Sequence, residues 1–113
     1  GFASDAAGAA RQIASGLADA RQAAIFANRD TGVVIDIENK TFSVGGGPAV
    51  ALDGIQKLTL ITAERDVLDE ARGEILFYPD GSAGGGEISV QDQDGTNATV
   101  RVNWLTGRIS VDG

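Results

Sequence analysis

Three groups of residues in this chain have side chains or spacings that could do chemistry, and the first lies near its carboxyl end. Asp92, Asp94 and Asn97 could offer oxygen ligands to a hard cation such as calcium. A calcium loop needs several converging oxygens and a bidentate glutamate, and the span 92–97 lacks that glutamate. We therefore interpret this span as a surface turn, and we interpret Asp80 in the same way.

The second group is a set of four carboxylates in one polar segment, residues 64–72. Its members are Glu64, Asp66, Asp69 and Glu70. Paired carboxylates cleave glycosidic bonds only when they face each other across a cleft and burial raises the pKa of one of them. Because these residues are crowded together in sequence, they indicate a solvated surface instead of a catalytic pair.

The third group is the glycine run 84–86, which could suggest a loop that binds phosphate. A phosphate-binding loop ends in a Lys-Ser/Thr pair and opens a helix. Here Glu87 follows the run and begins a strand-like segment. The run therefore predicts a hairpin loop.

Histidine and cysteine are absent from the sequence. Without histidine the chain lacks the usual group for proton transfer near neutral pH and the commonest metal ligand. Ser82 and Ser89 consequently have no base to activate them. Without cysteine there is no disulfide framework and no sulfur metal site. We predict that the protein is not an enzyme and has no catalytic residue, no cofactor and no metal ion.

Length and charge limit the remaining classes of function. The 113 residues suffice for one domain with one core. The net charge of −7 disfavours attachment to nucleic acid or anionic lipid, since both need clustered basic residues. No run approaches the roughly 20 apolar residues that cross a bilayer. The chain begins at Gly1 without an initiator methionine, and we expect a segment upstream of it.

Residues 2–28 predict one long helix, because apolar residues recur at steps of three and four. The stripe consists of Phe2, Ala6, Ala9, Ile13, Leu17, Ala20, Ala24 and Ala27. Such a stripe permits close packing but buries little area per residue. A domain this small offers little sheet to cover a helix of roughly 40 Å, so we expect the part around Phe2, Ala6 and Ala9 to overhang. We also expect Gly32 to end the helix.

Alternating apolar residues and turn signals after Gly32 predict strands only. The predicted strands are 32–38, 41–44, 49–52, 57–62, 74–78, 87–91, 98–104 and 108–111. The last four follow one another closely and predict a four-stranded meander. The sequence thus indicates an α+β fold with one long N-terminal helix packed on antiparallel sheet. We divide it into the helix, 1–31, and a β-rich head, 32–113, within one structural domain.

Three motifs follow one another along the chain. Residues 20–29 combine small residues with arginines and lead into the first strand. The second motif, within 77–86, consists of Phe77, Pro79, Asp80, Gly81, Ser82, Gly84 and Gly85. The third, in the final hairpin, is marked by Trp104, Gly107 and Arg108. In this order the motifs resemble the soluble part of GspH-type minor pseudopilins of bacterial type II secretion systems, over nearly the whole chain.

The resemblance implies a pilin-like structural subunit that supports protein export from near the tip of a periplasmic filament. It implies a processed leader and a hydrophobic helix upstream of Gly1. That helix would cross the inner membrane once and anchor the protein there. Other minor and major pseudopilins would be its partners, with secreted proteins as further ones and nucleic acid as none. Without its anchor the head is expected to be a monomer. The expected surfaces for lateral contact are the loops 79–86 and 64–72.

We expect the helix to contact partner helices through small and apolar side chains. The residues assigned to this interface are Phe2, Ala6, Ala9, Ala10, Ile13 and Leu17. The main alternative is a minor pilin of type IV pili, some of which bind DNA with paired arginines near the carboxyl end. Residues 107–110 of this chain include Arg108 and lack a second arginine. A generic extracellular binding module is a third class.

Overall fold

The computed structural model describes residues 5–63 and 66–113, and it confirms the predicted α+β fold with one long N-terminal helix on antiparallel sheet. One helix, α1 (Ala6–Ala27), precedes eight strands. The strands are β1 (Thr31–Asp36), β2 (Thr41–Val44), β3 (Val50–Ala51), β4 (Ile55–Ile61), β5 (Arg72–Phe77), β6 (Gly86–Asp92), β7 (Asn97–Val102) and β8 (Ile109–Asp112). The expectations for Phe2 and Glu64 lie outside the described residues.

The strands form two four-stranded antiparallel sheets, and this arrangement corrects the predicted C-terminal meander. One sheet has the order β3-β2-β1-β5 and the other has the order β4-β6-β7-β8. β5 leaves the predicted meander because it pairs with β1 over six residues, from Thr31 opposite Phe77 to Asp36 opposite Arg72. The meander therefore has three strands, β6 to β8, and β4 is the fourth strand of that sheet. Both sheets pair strands that are distant in sequence.

The apolar stripe of helix α1 is buried from Ala6 to Ala24, so the predicted overhang is wrong for the described residues. Ala6, Ala9 and Ala10 have no exposed surface, like Ile13 and Leu17 further along. The physical reason is that the helix lies across both sheets, contacting β1 and β2 in one and β6 to β8 in the other. The domain is 41 Å long, enough to cover 22 helical residues, about 33 Å.

Glycine and alanine let the helix approach the sheets closely. Gly16 is buried, and a Cβ atom built there would lie 2.7 Å from the ring of Phe42 on β2. Real Cβ atoms do not approach so closely, so a side chain at this position would push helix and sheet apart. The small residues of α1 therefore serve packing within the domain, while larger side chains from both sheets fill the space.

Two carboxylates hold the amino end of α1. Asp5 is the N-cap, and its side chain accepts the Gly8 N–H at 2.7 Å. Asp92, at the end of β6, accepts the Ala6 N–H at 3.0 Å through one carboxylate oxygen. Its other oxygen accepts the N–H groups of Asp94 and Thr96. The turn that sequence reasoning weighed as a cation site instead ties the helix to the second sheet.

The carboxyl end of α1 differs from its prediction. Asn28, in the left-handed conformation with φ 55°, is the C-cap, and its N–H is bonded to the Ala24 carbonyl. Asparagine tolerates this conformation through local hydrogen bonding. Gly32, expected to end the helix, instead lies inside β1, where the side chain of Glu74 occupies the space a Cβ would need.

We predict that Asp92→Asn lowers the melting temperature by several degrees at neutral pH. An amide offers one acceptor oxygen where the carboxylate uses two, so a helix or turn N–H loses its partner. Asp94→Asn is the control, because only the main chain of Asp94 takes part in this hydrogen bonding. Equal melting temperatures of the two variants in circular dichroism would contradict the role of Asp92.

The same substitution should change the acid sensitivity of the fold. The N–H of Ala6, and then those of Thr96 and Asp94, lower the pKa of Asp92 below its ordinary value of 3.8. A lowered pKa in the folded state adds stability that is present above the ordinary pKa and is lost as pH falls through the folded pKa. Wild type should therefore lose part of its advantage over Asp92→Asn below about pH 4, in melting curves recorded across that range.

Candidate functional site

The candidate site is built on the loop 78–85, which carries the chain from the first sheet to the second. The turn is closed by hydrogen bonds from the Tyr78 N–H to the Ser82 carbonyl and from the Gly81 N–H to the Tyr78 carbonyl, both 2.9 Å. Asp80 accepts the Ser82 hydroxyl at 2.6 Å and the Ser82 N–H at 2.9 Å. These two hydrogen bonds hold the pKa of Asp80 below its usual value. The loop is thus a fixed turn anchored by buried Phe77.

The β7–β8 connection, residues 103–108, is equally well fixed. The Asn103 side chain accepts the N–H groups of Leu105 and Thr106 at 2.9 and 3.1 Å. The Asn103 carbonyl accepts the Gly107 N–H at 2.8 Å. The Trp104 carbonyl accepts the Ala83 N–H at 3.0 Å, which joins this connection to the loop 78–85. Two family motifs that are distant in sequence are therefore in contact.

Arg21 on α1 joins these two loops. Its Nε donates to the Gly81 carbonyl at 3.0 Å, and a terminal nitrogen of the guanidinium donates to the Thr106 carbonyl at 3.4 Å. The side chain is half-buried. Because a guanidinium presents several donors in a planar fork, one residue can hold two carbonyls that belong to different loops.

The glycines of both loops are needed for this close contact. Gly81 and Gly107 have positive φ values of 89° and 70°. A Cβ at Gly107 would overlap the Gly81 carbonyl and lie 2.9 Å from Nε of Arg21. Gly85, with φ 84°, lies against Trp104, whose Cβ would be 2.9 Å from a Cβ added at the glycine. Glycine at these positions combines a left-handed backbone with an approach that no side chain permits.

An open groove of about 700 Å³ runs beside this junction on the outer face of the second sheet. Its sides include Trp104 and Ile61, which are 67% and 66% exposed. Residues 84–86 contribute backbone to its lining. Arg101 and Glu87, bonded to each other, and Arg108 supply its charged groups. The groove therefore combines large exposed apolar side chains with charged groups.

The structure separates the predicted site residues into two sets. The motif residues from the loop 77–86 and from the final hairpin lie together around Arg21. The helix residues Ala6, Ala9, Ala10, Ile13 and Leu17 lie apart from them in the core. Those five side chains are therefore enclosed by the chain's own sheets and present no surface to a partner. Phe2 is outside the described residues.

The sequence alone did not reveal that Arg21 joins two loops or that Asp92 bonds to the first turn of α1. Arg21 belongs to the helix motif. Its position next to the apolar residues Ala20 and Ala24 was the one sign in the sequence that it lies near the packed face of the helix. Within the described residues no group of acidic side chains is arranged to hold a metal ion. The described residues also contain no helix that is long and apolar enough to cross a membrane.

Solved structures with the same fold define the class of this protein. The minor pseudopilin EpsH from the Type 2 Secretion System of Vibrio cholerae is similar with a TM-score of 0.73 and 15% identity, covering 95% of each chain. The type IV minor pilin FimU of Pseudomonas aeruginosa is similar with a TM-score of 0.63 and 20% identity, covering 96% of this chain and 88% of that one. The architecture is therefore that of the pilin-like proteins.

The family follows from the sequence itself. Residues 9–107 match the profile of the family described as "Type II transport protein GspH", and the match includes the first two motifs and the third as far as Gly107. No curated protein sequence matches the chain significantly. The chain belongs to the GspH family and is a GspH-type minor pseudopilin, a class of structural proteins.

We predict that Gly107→Ala destabilises the domain far more than Gly95→Ala. Both glycines have positive φ, 70° and 82°, so both variants incur the strain of a left-handed alanine, about 1–2 kcal/mol. A Cβ at Gly95 meets no atom within 4 Å, whereas one at Gly107 collides with the Gly81 carbonyl. Denaturant unfolding should show about 1–3 kcal/mol of additional loss for Gly107→Ala. Equal losses would show that the loops are not in close contact.

Removing the guanidinium of Arg21 should loosen both loops. Arg21→Met keeps the aliphatic stem but leaves the Gly81 and Thr106 carbonyls without this donor, and we expect a loss of about 1–2 kcal/mol in the free energy of unfolding. Arg11→Met, on the exposed side of the same helix, should change stability by less than about 0.5 kcal/mol. Hydrogen exchange at the Gly81 and Gly107 amides should become faster only in Arg21→Met. Unchanged exchange there would rule out the bridging role.

Proposed function

We propose that this chain is a non-enzymatic subunit of a type II secretion pseudopilus, which assembles near the filament tip and supports protein export. The observation that carries the proposal is the match to the GspH family over residues 9–107. The pilin-like fold, shared with EpsH, supports it. The partners would be other minor and major pseudopilins, with secreted proteins as further ones.

Helix packing in the assembly must use the outer face of α1, because its inner face is buried in the domain. The residues exposed along this face are Ala7, Arg11, Ser15, Ala18, Gln22 and Ile25. They recur at steps of three and four, so they form one line along the helix. Most are small or uncharged, which lets another helix approach. Phe26, 86% exposed, extends this surface at the end of the helix.

The same proposal places this domain in the periplasm. A membrane-anchoring helix upstream of Gly1 would continue α1 and tether the protein once in the inner membrane. The division into a helical spine, 1–31, and a head, 32–113, belongs to this proposal. In it the spine connects the filament core with the head, and the head makes the lateral contacts.

A minor pilin of a type IV pilus is the second candidate, because FimU shares the fold. Some such pilins bind DNA. Arg108 is exposed at the final hairpin of this chain, but the net charge is −7, so binding to phosphate should be weak and strongly dependent on salt. A gel shift that shows tight binding at moderate salt would favour this candidate.

Cysteine crosslinking in cells that assemble the pseudopilus tests the proposed packing. The chain has no cysteine, so each single variant gives one defined reactive site. Ala7→Cys and Ala18→Cys, on the outer face of α1, should crosslink to cysteines placed on the helices of other pseudopilins. Ala51→Cys is the matched control, an exposed alanine on β3 away from the helix. Helix variants that crosslink no more than Ala51→Cys would contradict assembly through this face.

A further inference from the structure

The groove beside Trp104 has the composition of a protein-binding site. Trp104 and Ile61 each leave about two thirds of their surface in water. Leu105, next to Trp104, is 64% exposed. Large apolar groups that remain exposed together in a folded domain mark surfaces that are covered by another molecule. Tryptophan and arginine are also the residues most often found as anchors of protein interfaces.

The charge of the groove identifies what would fit it. The charged groups among its described lining residues are two arginines, Arg101 and Arg108, and one carboxylate, Glu87. Arg101 is bonded to Glu87 and to Asp112, at 2.6 and 2.9 Å. Arg108 is in none of the ion pairs among the described residues. The charge of Arg101 is thus balanced by its two carboxylate partners, and Arg108 is the cation that remains to bind an acidic group of a ligand.

The groove wall is preorganised by the contacts described above. The Trp104 carbonyl is bonded to the Ala83 N–H, and Asn103 and Arg21 fix the connection that carries the indole. Gly85 packs against the Trp104 Cβ, so the two loops meet without a gap at this point. A rigid wall lowers the entropy lost on binding. The family motifs thus build a binding surface as well as a fold.

We infer that this groove binds an extended segment of another pseudopilin, with an apolar side chain between Trp104 and Ile61 and a carboxylate on Arg108. The inference rests on the proposed function for the identity of the partner, and it adds the site and the chemistry that the partner must present. Extended backbone fits because the groove is open and its lining residues on β4, β6, β7 and β8 lie in one row across the sheet.

Two other occupants are disfavoured by charge. A second copy of this chain brings another −7, and equal net charges repel. An anionic membrane is repelled in the same way, although exposed tryptophan does favour membrane interfaces. Both occupants are therefore included as arms of the test.

Trp104 is the sole tryptophan of the chain, so it can report on the groove directly. The chain is labelled with 5-fluorotryptophan, and its single ¹⁹F resonance is followed by NMR while purified soluble domains of the other pseudopilins of the same secretion system are added. Affinity is measured in parallel by calorimetry. Further arms use the chain alone at rising concentration, phosphatidylcholine vesicles and phosphatidylglycerol vesicles.

We expect the ¹⁹F resonance to shift when at least one pseudopilin is added. It should not shift when either kind of vesicle is added or when the concentration of the chain alone is raised. Trp104→Ala should weaken that affinity about 10-fold or more, and alanine retains the Cβ against which Gly85 packs. Arg108→Glu should weaken it at low salt and less at high salt. Leu68→Ala, which removes an exposed apolar side chain outside the groove, should leave affinity unchanged.

The alternative outcomes are distinguishable. If a pseudopilin binds while the ¹⁹F resonance and the Trp104→Ala affinity stay unchanged, the groove inference is overturned and the proposed function stands. If no pseudopilin binds, the proposed function fails together with the inference. A resonance that moves only with vesicles or with concentration would assign the groove to a membrane or to self-association and would also overturn the inference.

Discussion

The close approach of α1 to both sheets is the constraint on which the rest of this structure depends. The two sheets share no strand, and the helix lies across both of them. Small residues make this possible, since any side chain at Gly16 would meet the Phe42 ring. The same helix position brings Arg21 to the loop 78–85, where the chain passes from the first sheet to the second, and to the β7–β8 connection, residues 103–108. Packing and the candidate site are thus consequences of one helix position.

Local patterns were enough to predict most elements of the fold, but not their partners. The helix follows from apolar residues at steps of three and four, and the strands follow from alternation between turn signals. The assignment of β5 to the first sheet could not be predicted, because its pairing with β1 joins residues some forty positions apart. The short connections between β5, β6, β7 and β8 favour a continuous meander. In the structure β5 pairs with the distant strand β1 instead.

The candidate site shows the same division between local and distant information. The motif around Pro79 and Gly81 and the one around Trp104 and Gly107 were visible as separate turns. Their contact depends on Arg21, whose role cannot be seen without knowing that three distant segments meet. The amino-terminal half of the stripe, as far as Leu17, is predicted from its small and apolar residues to contact partner helices. In the folded domain small size serves closeness to the sheets, and the exposed line on the other side remains for partners.

The hydrogen bond between Asp92 and the first turn of α1 has a mechanical consequence. If the chain is a filament subunit anchored through its amino end, as proposed above, tension would enter the domain along the helix axis. The hydrogen bond from the Ala6 N–H to Asp92 lies at the end of the helix where that tension would arrive. The buried face of α1 would then carry the tension as shear along its contact with the sheets. A helix bonded in this way would resist separation from the sheets one turn at a time, because its first turn is held to the second sheet through Asp92.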